Sequence, residues 1–263
     1  MKKLLWVGLC AALLMPGLAS AQSGFSGTWK TDMSKTKLSE KPDVYLLQNG
    51  MFQCKSCVPM ISIKADGQDQ KVTGDPYADT LAVKVVDDHT VEETAKKGGK
   101  VVATSKEVVS ADGNTLTVEF SDSSDSNSAP VTGKGTSTRV AKGPAGSHAI
   151  SGSWRTTKVN DFSDNGLTFT YKVDGDMLTF STPTGQSFTA KLDGTDAPYK
   201  GDPGTTSVSV KRINSTTIEE TDKRDGKAIG VGRATLSADG KTMTIVFTDK
   251  MRNATSTYVA VKQ

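Results

Sequence analysis

Three groups of residues in this chain are of types that could do chemistry: a cysteine pair, two histidines of which one stands beside acids, and polar residues in phase with apolar strand faces. The pair is Cys54-Lys-Ser-Cys57. At a helix N-terminus such a Cys-x-x-Cys has a lowered thiol pKa and becomes a redox centre. Here the flanking residues read as strands, and the pair falls where the second half of the chain has the turn Thr182-Pro-Thr-Gly185. The expectation is therefore a Cys54–Cys57 disulfide stapling a hairpin tip, with thiol–disulfide exchange as the alternative. Tetrahedral zinc needs four ligands, and past the N-terminal segment only His89 and His148 could join the two sulfurs. No metal is expected.

His89 stands in Asp87-Asp88-His89-Thr90, where a carboxylate could orient an imidazole for acid–base work. The second half has Asn214-Ser-Thr-Thr217 at the equivalent place, so a polar turn accounts for both. Neither Gly-x-Ser-x-Gly nor His-Glu-x-x-His occurs, and no phosphate-cradling loop of the Walker type is present. The sequence thus supports neither an enzyme nor a cofactor. The third group consists of Arg212, in phase with Val208 and Val210, Glu220 on the Ile218 face, and Arg233 in phase with Ile229 and Val231. If the Val208 face lines a cavity, Arg212 could meet a ligand carboxylate with the other two as polar neighbours. Otherwise Arg212 ends its strand and reaches solvent on its long stem.

The elements that must hold these residues come in two copies. Phe25-Ser-Gly-Thr-Trp29-Lys-Thr returns as Ile150-Ser-Gly-Ser-Trp154-Arg-Thr. Residues 64–122 align without a gap to 191–249, with 24 of 59 positions identical. The expected organisation is a signal peptide over 1–21, a first domain over 22–142, a linker over 143–149 and a second domain over 150–263. Lys2 and Lys3, the apolar Leu4–Leu14 run and Ala19-Ser-Ala21 carry the secretory reading, and the run is too short to span a membrane. Cys10 lies inside that segment and is expected to be discarded with it. Export places the mature chain where disulfides persist, in the periplasm or outside the cell.

Alternating segments such as Leu81-Ala-Val83-Lys-Val85 and Met243-Thr-Ile245-Val-Phe247 read as strands. Between them stand six Asp-Gly dipeptides, from Asp66-Gly67 to Asp239-Gly240, which favour tight hairpins. Eight or nine strands per repeat are expected, in an antiparallel meander that loses its edges by closing into an up-and-down barrel; an open sandwich is the alternative. Ser121–Ser128 reads as a loop insertion. Gly74-Asp-Pro76 and Gly201-Asp-Pro203 read as a shared loop whose aspartates cap it themselves.

With Gly27-Thr28-Trp29 and Gly152-Ser153-Trp154 opening the repeats, the chain resembles two lipocalin-like barrels of the calycin superfamily in tandem, in the manner of an exported bacterial protein. Val210-Lys-Arg212 with Ile218-Glu-Glu220-Thr is similar to the fatty-acid-binding branch. The resemblance implies that each motif tryptophan is structural and packs at a closed barrel end under a basic residue of the last strand. Arg139 suits that role; Tyr258 stands at its counterpart, so the second closed end should be packed differently.

Loss of Lys2 and Lys3 leaves 30 basic against 29 acidic residues in the mature chain, and aromatics are 6% of the whole. Without a basic stripe or stacking platforms, nucleic acid is not an expected partner. The expectation is an exported, non-enzymatic protein that sequesters a small apolar or amphipathic ligand in a barrel. The alternative is an envelope interaction module whose barrels are filled with side chains and whose loops bind a protein.

Overall fold

The computed structural model of the protein describes residues 24–124 and 129–263. The expected signal segment 1–21 with Cys10, and positions 125–128 of the Ser121–Ser128 stretch, lie outside the described residues. Strands dominate. From the first repeat come β1 (Gly27–Thr31), β2 (Asp43–Gln48), β3 (Met51–Cys54), β4 (Ile61–Lys64), β5 (Gln70–Lys71), β6 (Thr80–Asp87), β7 (Thr90–Lys97), β8 (Lys100–Val109), β9 (Thr115–Asp122) and β10 (Val131–Lys142). The second repeat supplies β11 (Gly152–Asn160), a single helical turn α1 (Asp164–Leu167), β12 (Thr168–Asp174), β13 (Met177–Ser181), β14 (Ser187–Lys191) and β15 (Asp193–Pro198). It continues with β16 (Ser207–Asn214), β17 (Thr217–Arg224), β18 (Lys227–Leu236), β19 (Thr242–Asp249) and β20 (Ala254–Lys262).

Alternation buries one face of each strand, and tight turns bring neighbours together. Between β17 and β18, Asp225 and Gly226 both have positive φ (50° and 77°), as a two-residue primed turn requires. The result is two antiparallel ten-stranded sheets, each curled into a nearly closed barrel. In the sheet whose edges are β14 and β15, Ser187 of β14 bridges to Lys200, two residues beyond the end of β15. Ten strands replace the eight or nine expected because β5 is only two residues long and Asp193-Gly194, which reads as a turn, lies inside β15 with a register shift beside it.

The strand order departs from the repeat order at one place in each barrel. β1 pairs with β12 and β20, while β11 lies between β10 and β2. Each repeat has given its first strand to the other. We call the sheet holding β2–β10 the first barrel and that holding β12–β20 the second. Trp29 is thus buried in the second core with Leu178, Val208, Ile218 and Met243. Trp154 is buried in the first with Phe52, Val83, Val91 and Leu116.

Two crossings carry the exchange. Leaving β1, the chain turns at Asp32, whose carboxylate accepts from the Ser34 amide (3.0 Å), and Lys37 bridges to Thr257 before β2 begins in the first barrel. Leaving β11, it passes through α1, where Asp164 meets Lys30 of β1 at 2.7 Å. The crossings are braced by Arg252 on Asp43 (2.6 Å) and by the Tyr77 hydroxyl donating to Asp202 (2.9 Å), each joining residues of different repeats.

The exchange fixes a neighbour that a chain of unexchanged repeats would lack. Thr28 faces Thr170, with hydroxyls 3.1 Å apart; left in its own barrel it would face Val44, as Ser153 does. The double variant Thr28→Cys/Thr170→Cys should form an intramolecular disulfide under mild oxidation, since opposed strand positions lie within bridging distance. Peptide mapping checks it, and a monomer that stays reduced at both positions would refute the exchange.

Candidate functional site

At the closed end of each barrel the motif tryptophan is fully buried, and its indole N–H donates to the carbonyl four residues earlier: Trp29 to Phe25 (2.9 Å), Trp154 to Ile150 (2.8 Å). Arg139 does stack on a motif tryptophan, but because the strands are exchanged it is Trp154, not Trp29 of its own repeat, at 3.9 Å from the ring centre. Its guanidinium also donates to the carbonyls of Gly113, Ser151 (2.7 Å) and Ala149 (2.7 Å). Burial pulls its pKa below the usual arginine value. Over Trp29 the cation is Lys262, 5.2 Å from the ring centre, four residues beyond Tyr258. The motif glycines make room for these cations. A Cβ on Gly152 (φ 133°) would lie 2.3 Å from the Ala141 carbonyl and 2.8 Å from the Arg139 guanidinium; on Gly27 (φ 141°) it would lie 2.6 Å from Lys262. Gly27, Trp29, Arg139, Gly152 and Trp154 therefore build the closed ends.

Above the closed end of the first barrel the interior becomes acidic. β7 points Val91, Glu93 and Ala95 inward, and β8 points Ala103, Ser105, Glu107 and Val109 the same way. Glu93 is opposite Ser105, and Glu107 is one inward step further down, so the two carboxyl groups are diagonal neighbours. Tyr45 of β2 belongs to the same group, its phenol pushed well above its ordinary value by burial, then by Asp43, Glu107 and Glu93. Glu107 is 6% exposed, and its Oε2 has no hydrogen-bond partner. Burial raises the Glu93 carboxyl to about 7, while burial and then Glu93 raise Glu107 well above the carboxylate range. A cavity of about 230 Å³ opens above them, walled by Leu81, Glu93, Ala95, Ala103, Ser105 and Phe120. Phe120 and Asp122 also border a seam cavity of about 390 Å³ that continues to Phe162, Thr184, Tyr199 and Asp202 between the barrels.

The second barrel repeats the acid and sets aromatic rings beside it. Glu220 holds the position of Glu93, and Asp222 follows it on the inward face of β17. Burial, then Asp222, pushes Glu220 well above the carboxylate range, and burial lifts Asp222 to about 6. Asp222 Oδ1 is buried without a partner. Beside them pack Phe169, Tyr171, Phe180, Phe188 and Tyr199, with ring centres 5.1 to 6.3 Å apart. Arg212 follows Val208 and Val210 on the inward face of β16 and has one guanidinium nitrogen buried without a partner. Its cross-strand neighbour is Ile218, whereas Glu220 faces Val210, and no ion pair joins Arg212 to Glu220. Arg233 lies on the outer face, 55% exposed, paired with Glu219 at 3.0 Å. The inward positions of β18 are Gly230, Gly232 and Ala234; being small, they give no apolar signal, so Ile229 and Val231 mislead as to which face is inside. The structure thus brings Glu220 and Arg212 to the interior at different levels and leaves Arg233 outside.

The remaining residues are tied up locally. Cys54 and Cys57 form a disulfide at the end of β3, with Cα atoms 5.4 Å apart and no helix starting there. Asp87 accepts from the His89 amide (2.8 Å), as Asn214 does from Thr216 (2.9 Å), so the Asp-Asp-His segment is a side-chain-capped turn. His89 Nδ1 lies 3.2 Å from the Val109 carbonyl, and His148 Nε2 lies 2.7 Å from that of Asp87. Asp75 and Asp202 cap their loops by accepting from the amides of Tyr77 (2.8 Å) and Gly204 (2.7 Å). Among the described residues no cluster of three His, Cys, Asp or Glu side chains could hold a metal ion. No helix among them is long and apolar enough to cross a membrane.

The sequence reading passed over Glu93, Glu107, Tyr45 and Asp222. One signal for Glu93 was available: Glu92-Glu93-Thr94 and Glu219-Glu220-Thr221 are identical in the two repeats. The chain matches no family model and no curated protein.

Two outcomes follow from this geometry. Gly152→Ala should cost about 2 kcal/mol or more in urea unfolding, because the φ suits glycine and the new Cβ displaces the guanidinium from Trp154. For the acids, folding raises the carboxyl pKa, so the folded state holds more protons than the unfolded one between an ordinary 4.5 and about 7. Stability should therefore fall as pH rises through that window. A Tm series from pH 5 to pH 8 should decline in the wild type more steeply than in Glu93→Gln/Glu107→Gln; equal slopes would refute the assignment.

Proposed function

We propose that this protein binds a small apolar or amphipathic molecule inside its first barrel without transforming it. The observation that carries this reading is the cavity of about 230 Å³ left by Ala95, Ala103 and Ser105, walled by Leu81 and Phe120 and bearing a few polar groups, the usual make-up of a ligand site. The shared lining of Phe120 and Asp122 gives it an approach from the seam. Burial of an apolar ligand surface supplies ~25 cal/mol per Å².

Kinship with lipocalin-like calycins is supported by the Gly-x-Trp strand at the closed end and by the cation over its tryptophan in both barrels. It remains a reading from fold and motif, and fold alone does not fix a ligand. Export to the periplasm or beyond is supported by the composition of residues 1–21 and by the Cys54–Cys57 bond. One observation favours a different role for the second barrel: its aromatic filling, from Phe169 to Tyr199, suits a structural or protein-contacting partner of the first.

Native mass spectrometry of protein purified gently from an exporting host tests the reading. The wild type should carry a discrete mass that is lost on denaturation, and Ala103→Phe, which fills the cavity, should be bare while keeping its Tm within a few degrees. A wild-type chain as bare as the variant would shift the first barrel to the interaction-module reading.

A further inference from the structure

Resting on the reading that the first barrel is a binding site, we infer that its ligand presents a basic amine to Glu93 and Glu107. Both carboxyl groups face the barrel interior, Glu93 in the cavity wall and Glu107 on the same face of β8 as the wall residues Ala103 and Ser105. A buried carboxyl group normally has a partner, yet Glu107 Oε2 has none and is 94% shielded from solvent by the burial of its residue. No lysine or arginine among the described residues forms an ion pair with either group. Arg139 is engaged with three carbonyls and Trp154, Lys96 with Asp69 and Lys134 with Glu119, while Arg252 pairs with Asp43 and keeps a buried Nε without a partner.

Two acids side by side in a low-dielectric interior repel each other and hold protons, an arrangement that an ammonium group relieves by neutralising one charge and donating up to three hydrogen bonds. Leu81, Ala95 and Phe120 leave an apolar wall for the rest of such a molecule. A carboxylate ligand would find no cation in this wall and, wherever Glu93 has lost its proton, a like charge. This reverses the polarity that Arg212 suggests: that guanidinium is in the other barrel, whose own carboxyl pair, Glu220 and Asp222, again leaves one oxygen, Asp222 Oδ1, unpartnered.

Isothermal titration of the full mature chain with hexylamine, hexan-1-ol and hexanoate at neutral pH separates the possibilities. Hexylamine should bind more tightly than hexanoate by about tenfold or more, the size of one charge-assisted hydrogen bond. In Glu93→Gln/Glu107→Gln the preference should shrink to within about twofold while hexan-1-ol still binds, which also reports that the variant is folded. Should that variant not fold, the wild-type ranking decides. Hexan-1-ol binding with hexanoate equal to or above hexylamine overturns this inference and leaves the proposed function standing. No binding of any of the three overturns both.

Discussion

The cation held against a buried tryptophan at each closed end is the contact from which the rest of the molecule is built, and in both barrels the tryptophan arrives on a strand lent by the other repeat. Arg139 on Trp154 illustrates the constraint. The guanidinium must satisfy three carbonyls and cover the indole at once, which fixes the rotation of β11 in the sheet and demands a glycine at 152. Lys262 imposes the same demand on β1 with fewer bonds, Nζ donating to the Gly24 carbonyl at 3.0 Å. Once β1 and β11 are fixed, the crossings beside α1 and Asp32 have to run between the barrels, and the seam cavity lies where the chain changes sides.

Interior volume then follows from side-chain size on two or three strands. In the first barrel Ala95, Ala103 and Ser105 stand where the second has Asp222, Gly230 and Gly232, and a cavity lies there against the wall of Leu81 and Phe120. In the second, rings from β12, β13 and β14 pack together, and Phe247 lies over Gly230, where an added Cβ would sit 2.6 Å from the ring. The same backbone thus carries a cavity in one interior and an aromatic cluster in the other, with the inward acid of β7 and β17 retained in both.

Much of this was legible in the residues. The repeat, the all-β class, the barrels, the hairpin turns and the Cys54–Cys57 bond follow from local alternation, turn chemistry and spacing. The exchange could not be read, because Gly27-Thr28-Trp29 and Gly152-Ser153-Trp154 offer a sheet nearly the same hydrogen bonds and the same indole, so either strand fits either barrel. Arg139 was legible as a stacking cation but not its partner. The face of β18 was lost for another reason: its inward residues are glycines, silent to any hydrophobic pattern, and Arg233 borrowed an apparent phase from exposed-side Ile229 and Val231. The first barrel's acids hid inside strands that otherwise alternate ordinarily, and their meaning depends on which atoms stand unpartnered across the interior.

Duplication usually frees one copy of a domain to drift while the other keeps the original role. Reciprocal lending of β1 and β11 removes that freedom. A change at Trp154 is written in the second repeat and felt in the first barrel; a change at Trp29 is written in the first and felt in the second. The inherited unit is therefore the pair, and neither half of the gene product can be traded for a foreign copy unless the borrowed strand fits a cation it never met.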